Sequence, residues 1–365
     1  MKSTLLAAAI ALFGTLLGTR WAISILVKHH YGQFIRDDGP NTHVTKRGTP
    51  TMGGIVIILV VDLAYVLAHL VFPIPEPTAS GILVLGLVTA LGFVGFIDDW
   101  IKISKSRSLG LHSYAKLALQ TIVAVAFGIL CFCFPDQRGL TPGSTAISFL
   151  RDIKWLNLPM WLAVIWIVFI VAAWSNAANL TDGLDGLASG SAAMVFAAYA
   201  LIALWQQRQP CIGDRPAALC YSVRDPGDIA LVALALAAAC FGFLWWNAAP
   251  AKIFMGDTGS LALGGAIAGL SVVTRTELLM ALVAGLFVII TLSVVLQVGY
   301  FKLTKAIFHL PQGKRLFKMA PLQHHFELLG WQEITIVIRF WIICGIFATL
   351  GVGIFYAEWT TGLGS

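Results

Sequence analysis

The stretch GILVLGLVTALGFVGFIDDW, residues 81–100, decides the fold class. Its first 17 residues are uncharged and mostly apolar. This is close to the ~20 residues that an α-helix needs to cross the hydrocarbon core of a bilayer. Two adjacent carboxylates, Asp98 and Asp99, follow directly. The stretch therefore predicts a membrane-spanning helix that ends in a pair of acidic residues at the water interface.

The rest of the chain repeats this pattern. Of its 365 residues, 58% are hydrophobic and 12% are charged, whereas soluble domains are about 45–50% apolar and about 25% charged. The runs lack the alternation of barrel strands, so we expect an all-α polytopic integral membrane protein, a single catalytic domain over 1–365. The ten predicted transmembrane helices lie at 5–27, 52–72, 81–97, 114–134, 159–180, 187–205, 228–247, 261–273, 278–301 and 335–357.

The basic residues indicate how the chain is oriented. The net charge of +6 is explained by the sidedness of membrane loops, so no nucleic-acid partner is expected. Ten spans place both termini on one side, and the loops of the opposite face hold 13 Lys and Arg, against 8 for the other loops and termini. The positive-inside rule then puts both termini on the non-cytoplasmic side. The predicted cytoplasmic loops are 28–51, 98–113, 181–186, 248–260 and 302–334.

Two of these loops carry acidic residues beside an apolar run. Adjacent carboxylates such as Asp98 and Asp99 attract a divalent cation, although they are also compatible with a solvated helix end. In KIFMGDTGS, residues 252–260, the side chains of Asp257, Thr258 and Ser260 could cap the helix that follows, whose N-terminus would then suit an anion.

A third loop carries amides and carboxylates in register. Within SNAANLTDGLDG, residues 175–186, a polar residue recurs at every third position, which places neighbours on one stripe of a helix or tight turn. Such groups can bind a sugar, a base or a metal ion. Asn and Asp are also ordinary turn formers, but four of them in register at a membrane exit favour a binding role. The four residues are Asn176, Asn179, Asp182 and Asp185.

Cations and histidines lie in the same predicted face. The basic, glycine-bearing segment HVTKRGTPTMGG suits a phosphate, or it anchors the following span at the interface. Two adjacent histidines in MAPLQHHFELLGW could act beside a phosphate, and solvated loop histidines would look the same. The side chains concerned are Lys46, Thr51, Lys102, Lys116, His324 and His325.

Together, these groups are the parts that phosphoryl transfer requires: carboxylates for Mg²⁺, and cations and amides for phosphates. Their position at the interface suggests one water-soluble substrate and one in the bilayer. A secondary transporter is the alternative from another class. Transporters concentrate ionisable groups near the midplane, whereas in this chain only Asp62 and His69 are clearly that deep. An enzyme is therefore favoured over a transporter.

Five segments carry a resemblance to a known family. TPTMGG, GFIDDW, NLTDGLDG, MGDTGS and MAPLQHHFELLGW occur in this order and resemble the phospho-N-acetylmuramoyl-pentapeptide-transferase family of the polyprenyl-phosphate hexose-1-phosphate transferase superfamily. The resemblance implies that undecaprenyl phosphate attacks the β-phosphate of UDP-N-acetylmuramoyl-pentapeptide, releasing UMP and forming lipid I for peptidoglycan. It also implies Mg²⁺, a homodimer, and a bacterial cytoplasmic (inner) membrane with the active site facing the cytoplasm. Transfer of N-acetylglucosamine-1-phosphate is the runner-up.

The same resemblance assigns roles to residues. Asp257 would bind Mg²⁺, Asp98 and Asp99 would lie at the reacting phosphates, and His324 would be a further catalytic residue. The substrate-binding residues would be Lys46, Thr51, Lys102, Lys116, Asn179, Asp182, Asp185, Asn247, Phe254 and His325. We favour direct in-line attack over an aspartyl-phosphate intermediate, because a lipid phosphate is already a competent nucleophile.

Other features stand apart from these motifs. The family usually has three histidines where this chain has Gln323-His324-His325, and glutamine cannot carry a proton. Cys211 and Cys220 could form a disulfide if their loop lies in an oxidising compartment. The glycines at 14 and 18, and those at 265 and 269, fit the GxxxG spacing that permits close helix packing.

Overall fold

The protein is a helical bundle with one small β-hairpin. The computed structural model describes residues 1–28, 48–72, 76–105, 107, 109–209, 211, 220–309 and 312–361. The helices are α1 Lys2–Lys28, α2 Gly54–Val71, α3 Ala79–Ser104, α4 Ser113–Cys133, α5 Met160–Thr181, α6 Leu187–Arg208, α7 Pro226–Asn247, α8 Gly256–Val273, α9 Glu277–Val283, α10 Gly285–Ile307, α11 Leu322–Glu327 and α12 Glu333–Thr361.

Ten of the helices in the described part of the chain are long and apolar enough to cross a membrane, which confirms the predicted number of spans. The shortest predicted run, 261–273, belongs to the 18-residue helix α8. This helix is central, because 89% of its spanning window is buried inside the protein. A helix surrounded by other helices needs small residues for close packing more than it needs apolar side chains for lipid.

Glycines set how closely the helices around α8 approach. A Cβ at Gly54 of α2 would overlap the backbone of Gly259 in α8, and a Cβ at Gly264 would overlap the backbone of Ser175 in α5. Substitution at either position would therefore push two helices apart. These close contacts bring the polar ends of α2, α5 and α8 together.

The GxxxG-spaced glycines pack within the protomer. Gly14 and Gly18 of α1 face Val60 and Val56 of α2. Gly265 and Gly269 of α8 face leucine and valine side chains of α3. Their spacing is therefore explained by packing between neighbouring helices of one chain.

Two features differ from the predicted architecture, a β-hairpin and a predicted span that is divided into two helices. Residues Ala146–Ser148 (β1) and Asp152–Asn157 (β2) form an antiparallel hairpin, in which Ser148 pairs with Asp152. The run predicted as one span at 278–301 begins as the short helix α9 and continues as α10, with Ala284 between them. Strand β1 has only three residues, and the six residues of β2 (DIKWLN) do not alternate strictly between apolar and polar, so no period-2 pattern predicts the hairpin.

Long-range polar contacts hold the hairpin against the bundle. The carboxylate of Glu277 accepts hydrogen bonds from the backbone N–H and the hydroxyl of Ser148. Arg275 Nη1 lies 3.2 Å from Asp152 Oδ2, and Arg151 Nε lies 2.6 Å from Glu358 Oε1. Burial, reinforced by the charge of Asp152, raises the pKa of Glu277 to about 8.

A disulfide closes the loop between α6 and α7. It joins Cys211 and Cys220, the pair left open by the sequence. The other four cysteines, Cys131, Cys133, Cys240 and Cys344, are free. This disulfide lies at the same end of the bundle as the hairpin. The hairpin follows α4, and two more spans, α5 and α6, separate it from the loop that carries the disulfide, so the chain returns to the same end.

Candidate active site

Three carboxylates converge at the opposite end of the bundle from the hairpin. Asp98 and Asp99 lie in the penultimate turn of α3, and Asp257 is the second residue of α8. One oxygen from each carboxylate lies within 4.8 Å of the others. The motifs GFIDDW and MGDTGS are therefore brought together by the packing of α3 against α8.

Asp99 caps the N-terminus of α8. Its Oδ2 accepts hydrogen bonds from the backbone N–H and the hydroxyl of Thr258, at 2.9 and 2.8 Å. Its Oδ1 accepts from the backbone N–H of Asp257 at 3.2 Å. The expectation that Asp257, Thr258 and Ser260 cap this helix with their own side chains is wrong, because the capping carboxylate comes from α3.

Asp98 is held by a different set of groups. Its Oδ2 lies 2.6 Å from Lys102 Nζ, one helical turn away, and its Oδ1 accepts the backbone N–H of Leu111 at 2.8 Å. A Cβ at Gly110 would come 2.5 Å from the carboxyl carbon of Asp98. The loop between α3 and α4 can therefore close over Asp98 because residue 110 is glycine.

Asp257 is surrounded by donors. Lys102 Nζ and Lys116 Nζ each lie 2.8 Å from its Oδ2, and Asn179 Nδ2 lies 2.6 Å from its Oδ1. Asn179 also donates to Ser260 Oγ at 2.9 Å. Four helices (α3, α4, α5 and α8) thus contribute one side chain or more to a single cluster of opposite charges.

The TPTMGG segment packs beside this cluster. Pro50 accepts the N–H of Phe254 at 2.8 Å, and Gly53 donates to the carbonyl of Phe254 at 2.9 Å. Gly256 has φ +74°, and a Cβ there would come 3.0 Å from Thr51 Oγ1 and 2.5 Å from Asp99 Oδ2. Thr51 therefore adjoins Asp99 across Gly256, and the backbone of Phe254 is bonded to the same segment. The predicted ligand Lys46 lies outside the described residues.

Three further predicted substrate-binding residues divide into two kinds. Asp182 is the C-cap of α5, and desolvation, with the charges of Asp257 and Asp99, raises its pKa to about 8. Asp185 and Asn247 are buried and bind backbone instead. Asp185 Oδ2 accepts the N–H of Ala251 at 3.0 Å, and Asn247 Nδ2 donates to the carbonyl of Ile253 at 3.0 Å. These two side chains support the loop that precedes α8.

Of the two histidines, His324 lies against the turn between α5 and α6. A Cβ at Gly183 would come 3.0 Å from His324 Nε2, and His324 Nδ1 lies 2.6 Å from Glu327 Oε2. His325 Nδ1 accepts the backbone N–H of Lys318 at 3.1 Å. The MAPLQHHFELLGW segment is therefore part of the same end of the bundle, and it reaches the site through Gly183.

The cluster of Asp98, Asp99 and Asp257 fits a hard divalent cation. Carboxylate oxygens are the ligands that Mg²⁺ prefers, and an octahedral site leaves positions for phosphate oxygens and water. The three carboxylates would hold such an ion, while Lys102 and Lys116, which now bridge to Asp257, would be free to turn towards phosphates. The arrangement can therefore bind a metal and a diphosphate side by side.

Neither deep polar residue joins this cluster. Asp62 Oδ2 accepts the hydroxyl of Thr89 at 2.9 Å. His69 Nε2 lies 3.2 Å from Asp228 Oδ1, and Nδ1 lies 2.9 Å from the carbonyl of Tyr65. Each therefore has its own partners between neighbouring helices, as expected for a hydrogen-bonded group at a helix interface.

Three contributors to the site had no assignment from sequence: Leu111, Gln323 and Glu333. Leu111 acts through its backbone N–H, which side-chain chemistry cannot reveal; the neighbouring glycine was the available signal. Gln323 and Glu333 bond to the backbone on either side of the 181–186 turn. Nothing in the sequence alone places them against a segment that is more than 140 residues away.

The chain is similar to known proteins along its whole length. A model of glycosyl transferase family 4 matches residues 81–275, and phospho-N-acetylmuramoyl-pentapeptide-transferase signature 1 matches residues 46–58. Proteins named phospho-N-acetylmuramoyl-pentapeptide-transferase from Cutibacterium acnes and Arthrobacter sp. are 61% and 57% identical, over 99% and 98% of this chain and 100% and 99% of theirs. One from Streptomyces avermitilis is 57% identical over 98% of this chain and 99% of its own.

Proposed function

Because the chain belongs to the phospho-N-acetylmuramoyl-pentapeptide-transferase family, we propose that it transfers phospho-N-acetylmuramoyl-pentapeptide from its UDP-activated form to undecaprenyl phosphate. The products are UMP and lipid I, an intermediate of peptidoglycan synthesis. The protein is thus a multi-pass membrane transferase whose two substrates arrive from different phases.

One observation carries the proposal: Asp98, Asp99 and Asp257 meet Lys102 and Lys116 at one end of the spans. Phosphoryl transfer needs little covalent chemistry from the protein, and it depends on positioning and on neutralising phosphate charge. Two lysines can offset part of the negative charge of a diphosphate and a lipid phosphate. A site at the end of membrane-spanning helices can receive both a soluble nucleotide and a lipid headgroup.

Mg²⁺ is the proposed cofactor, with Asp257 as its principal ligand and Asp98 and Asp99 beside it. When bound, the ion would polarise the phosphoryl oxygens and help UMP to leave. Asn179 holds Asp257 Oδ1 at 2.6 Å, so it orients the carboxylate towards the cluster. Thr51 adjoins Asp99 across Gly256, and Thr51 and Phe254 would line the substrate site.

We favour direct in-line attack. An oxygen of the lipid phosphate forms the new bond to the β-phosphorus, while the bond from that phosphorus to the UMP oxygen breaks. Asp99 is a poor nucleophile here, because both of its oxygens accept hydrogen bonds from the N-terminus of α8. Asp98 is bonded to Lys102 and Leu111. A phosphate monoester is largely ionised near neutrality, with a second pKa of about 6, so it needs little help from a base.

The orientation that we propose puts this end of the bundle in the cytoplasm, both termini outside, and the protein in the bacterial cytoplasmic membrane. The excess of Lys and Arg on the loops of this end supports it. The disulfide between Cys211 and Cys220 at the other end supports it independently, because disulfides persist in oxidising compartments. A homodimer remains a proposal that rests on the family.

The test supplies the purified protein with Mg²⁺, undecaprenyl phosphate and either UDP-N-acetylmuramoyl-pentapeptide or UDP-N-acetylglucosamine, and measures UMP. We expect release with the muramoyl nucleotide. We expect Asp257→Asn to lower that release by at least about 100-fold, because it removes a charge from the metal cluster.

The matched control is Glu76→Gln, which neutralises an exposed carboxylate outside the site and should release UMP at the wild-type rate. Release with UDP-N-acetylglucosamine alone would point to the runner-up reaction. A phosphorylated aspartate trapped with the sugar nucleotide alone would replace direct attack by a two-step mechanism.

A further inference from the structure

The turn between α5 and α6, residues 181–186, is held at both ends by the C-terminal segment. Gln323 Nε2 donates a hydrogen bond to the carbonyl of Leu180 at 2.9 Å. A carboxylate oxygen of Glu333 accepts the backbone N–H of Asp185 at 2.9 Å. Along the chain, Asp182 lies between these two attachment points.

Gln323 is fully buried. The last four carbonyls of a helix lack partners within it, and Leu180 belongs to the last four residues of α5, so the amide of Gln323 satisfies one of them. A Cβ at Gly183 would come 2.8 Å from Gln323 Nε2. The side chain is therefore wedged against the turn, and what this position supplies is an N–H donor.

Glu333 binds the other end of the turn, and its effect extends through Asp185 to a second loop. It is the first residue of α12, and it fixes the backbone of Asp185. The carboxylate of Asp185 in turn accepts the N–H of Ala251, in the loop that leads to Phe254 and Asp257. A short chain of hydrogen bonds thus runs from α12, through the turn, to the loop that precedes the carboxylate cluster.

We propose that Gln323 and Glu333 are positioning residues of the transfer reaction, which clamp the 181–186 turn and, through Asp185, the loop that leads to Asp257. This inference rests on the proposed function for its kinetic consequences. Neither side chain touches the reacting groups, and both act through the backbone. The family usually has a histidine at position 323. Glutamine can replace it without losing the hydrogen bond to Leu180, because an imidazole N–H and an amide N–H can donate the same bond.

The kinetic test compares variants that remove each bond with variants that preserve it. Glu333→Ala and Gln323→Leu should each raise KM for the UDP-linked substrate about tenfold, the consequence of losing one hydrogen bond near the site. Their KM for undecaprenyl phosphate should stay within about twofold. Glu333→Gln keeps an acceptor and Gln323→His keeps a donor, so both should recover most of the loss.

A second measurement does not need the substrate. Amide hydrogen exchange of the 181–186 turn should accelerate in Glu333→Ala and remain slow in Glu333→Gln, with Glu76→Gln as the control. Unchanged exchange together with unchanged KM in Glu333→Ala would overturn the clamp. Equal losses in all four variants, with lower melting temperatures, would also overturn it, because the segment would then serve only folding. Absence of UMP release from wild type would instead contradict the proposed function, leaving the exchange result to decide the clamp.

Discussion

Asp98 and Asp99 are neighbours with different partners. Consecutive residues of a helix point about 100° apart, so Asp98 faces Lys102 and the α3–α4 loop while Asp99 faces the N-terminus of α8. Both carboxylates therefore belong to the charged cluster, and Asp99 in addition joins α3 to α8. The two neighbouring aspartates therefore have different roles, because only Asp99 caps α8.

Separate substitutions should distinguish these functions. Asp99→Ala removes the cap of α8 and should destabilise the protein by about 1–2 kcal/mol, the usual worth of an N-cap. Asp98→Ala should abolish most UMP release with a smaller change in melting temperature. Thermal unfolding in detergent and UMP assays on both variants check this. Equal losses of melting temperature would contradict the assignment of the cap to Asp99.

Glu277 should make stability depend on pH. Its pKa rises from 4.5 to about 8 on folding, so between these values the folded state binds more protons than the unfolded state. The free energy of unfolding should therefore fall as pH rises through this window, by at most about 1.4 kcal/mol per pH unit. Glu277→Gln should flatten this dependence, since the amide is neutral throughout.

Melting temperatures of wild type and Glu277→Gln, measured from pH 5 to 8, provide the comparison. The difference between the two proteins isolates Glu277 from the histidines, which both proteins share. Parallel curves across the window would show that Glu277 is ionised in the folded protein, and the expectation would then be wrong.

At the scale of elements, α8 organises the site. It packs against α2, α3 and α5 through glycines whose neighbours leave no room for a Cβ. Its N-terminus carries Asp257 and receives the cap from Asp99. The convergence of residues that are up to 159 positions apart thus depends on the helix that has the weakest apolar signal of the ten.

A pair of glycine substitutions tests this role. Gly264→Ala places a Cβ onto the backbone of Ser175, whereas Gly86→Ala in α3 meets nothing within 4 Å. We expect Gly264→Ala to lower the melting temperature and UMP release, because overpacking costs about 1–3 kcal/mol. Gly86→Ala should be neutral or slightly stabilising, since alanine favours helix. Similar behaviour of the two variants would show that the α5–α8 spacing is not critical.

At the scale of the whole molecule, polar chemistry is divided between the two ends of the bundle. One end holds the carboxylates, lysines and histidine segment. The other holds the hairpin, its ion pairs and the disulfide between Cys211 and Cys220. The spanning helices separate the two ends. Measuring which end is accessible from outside the cell therefore fixes the orientation of the chain in the membrane.

Cysteine labelling provides that experiment. Trp155 in β2 and Tyr114 at the start of α4 are 81% and 79% exposed, and they lie at opposite ends of α4. In a Cys133→Ser background, which removes the exposed free cysteine, Trp155→Cys should react with a membrane-impermeant maleimide in intact cells. Tyr114→Cys should react only after permeabilisation. The reverse pattern would invert the proposed orientation.

The sequence by itself determined the membrane class, the ten spans, and the segments that carry the chemistry. These features are local, because burying an uninterrupted apolar run in lipid depends on that run alone. The motifs also revealed the family, and with it the residues now found around Asp257.

Only the tertiary structure decided what each of these residues touches. The cap of α8 comes from Asp99 of another helix, Asp185 and Asn247 bind backbone, and the hairpin is held by Glu277 from a distant segment. The physical reason is that a hydrogen bond between distant segments depends on how the helices pack, and packing between helices is set by many side chains at once. Local sequence therefore predicts which groups are present, and the fold decides their partners.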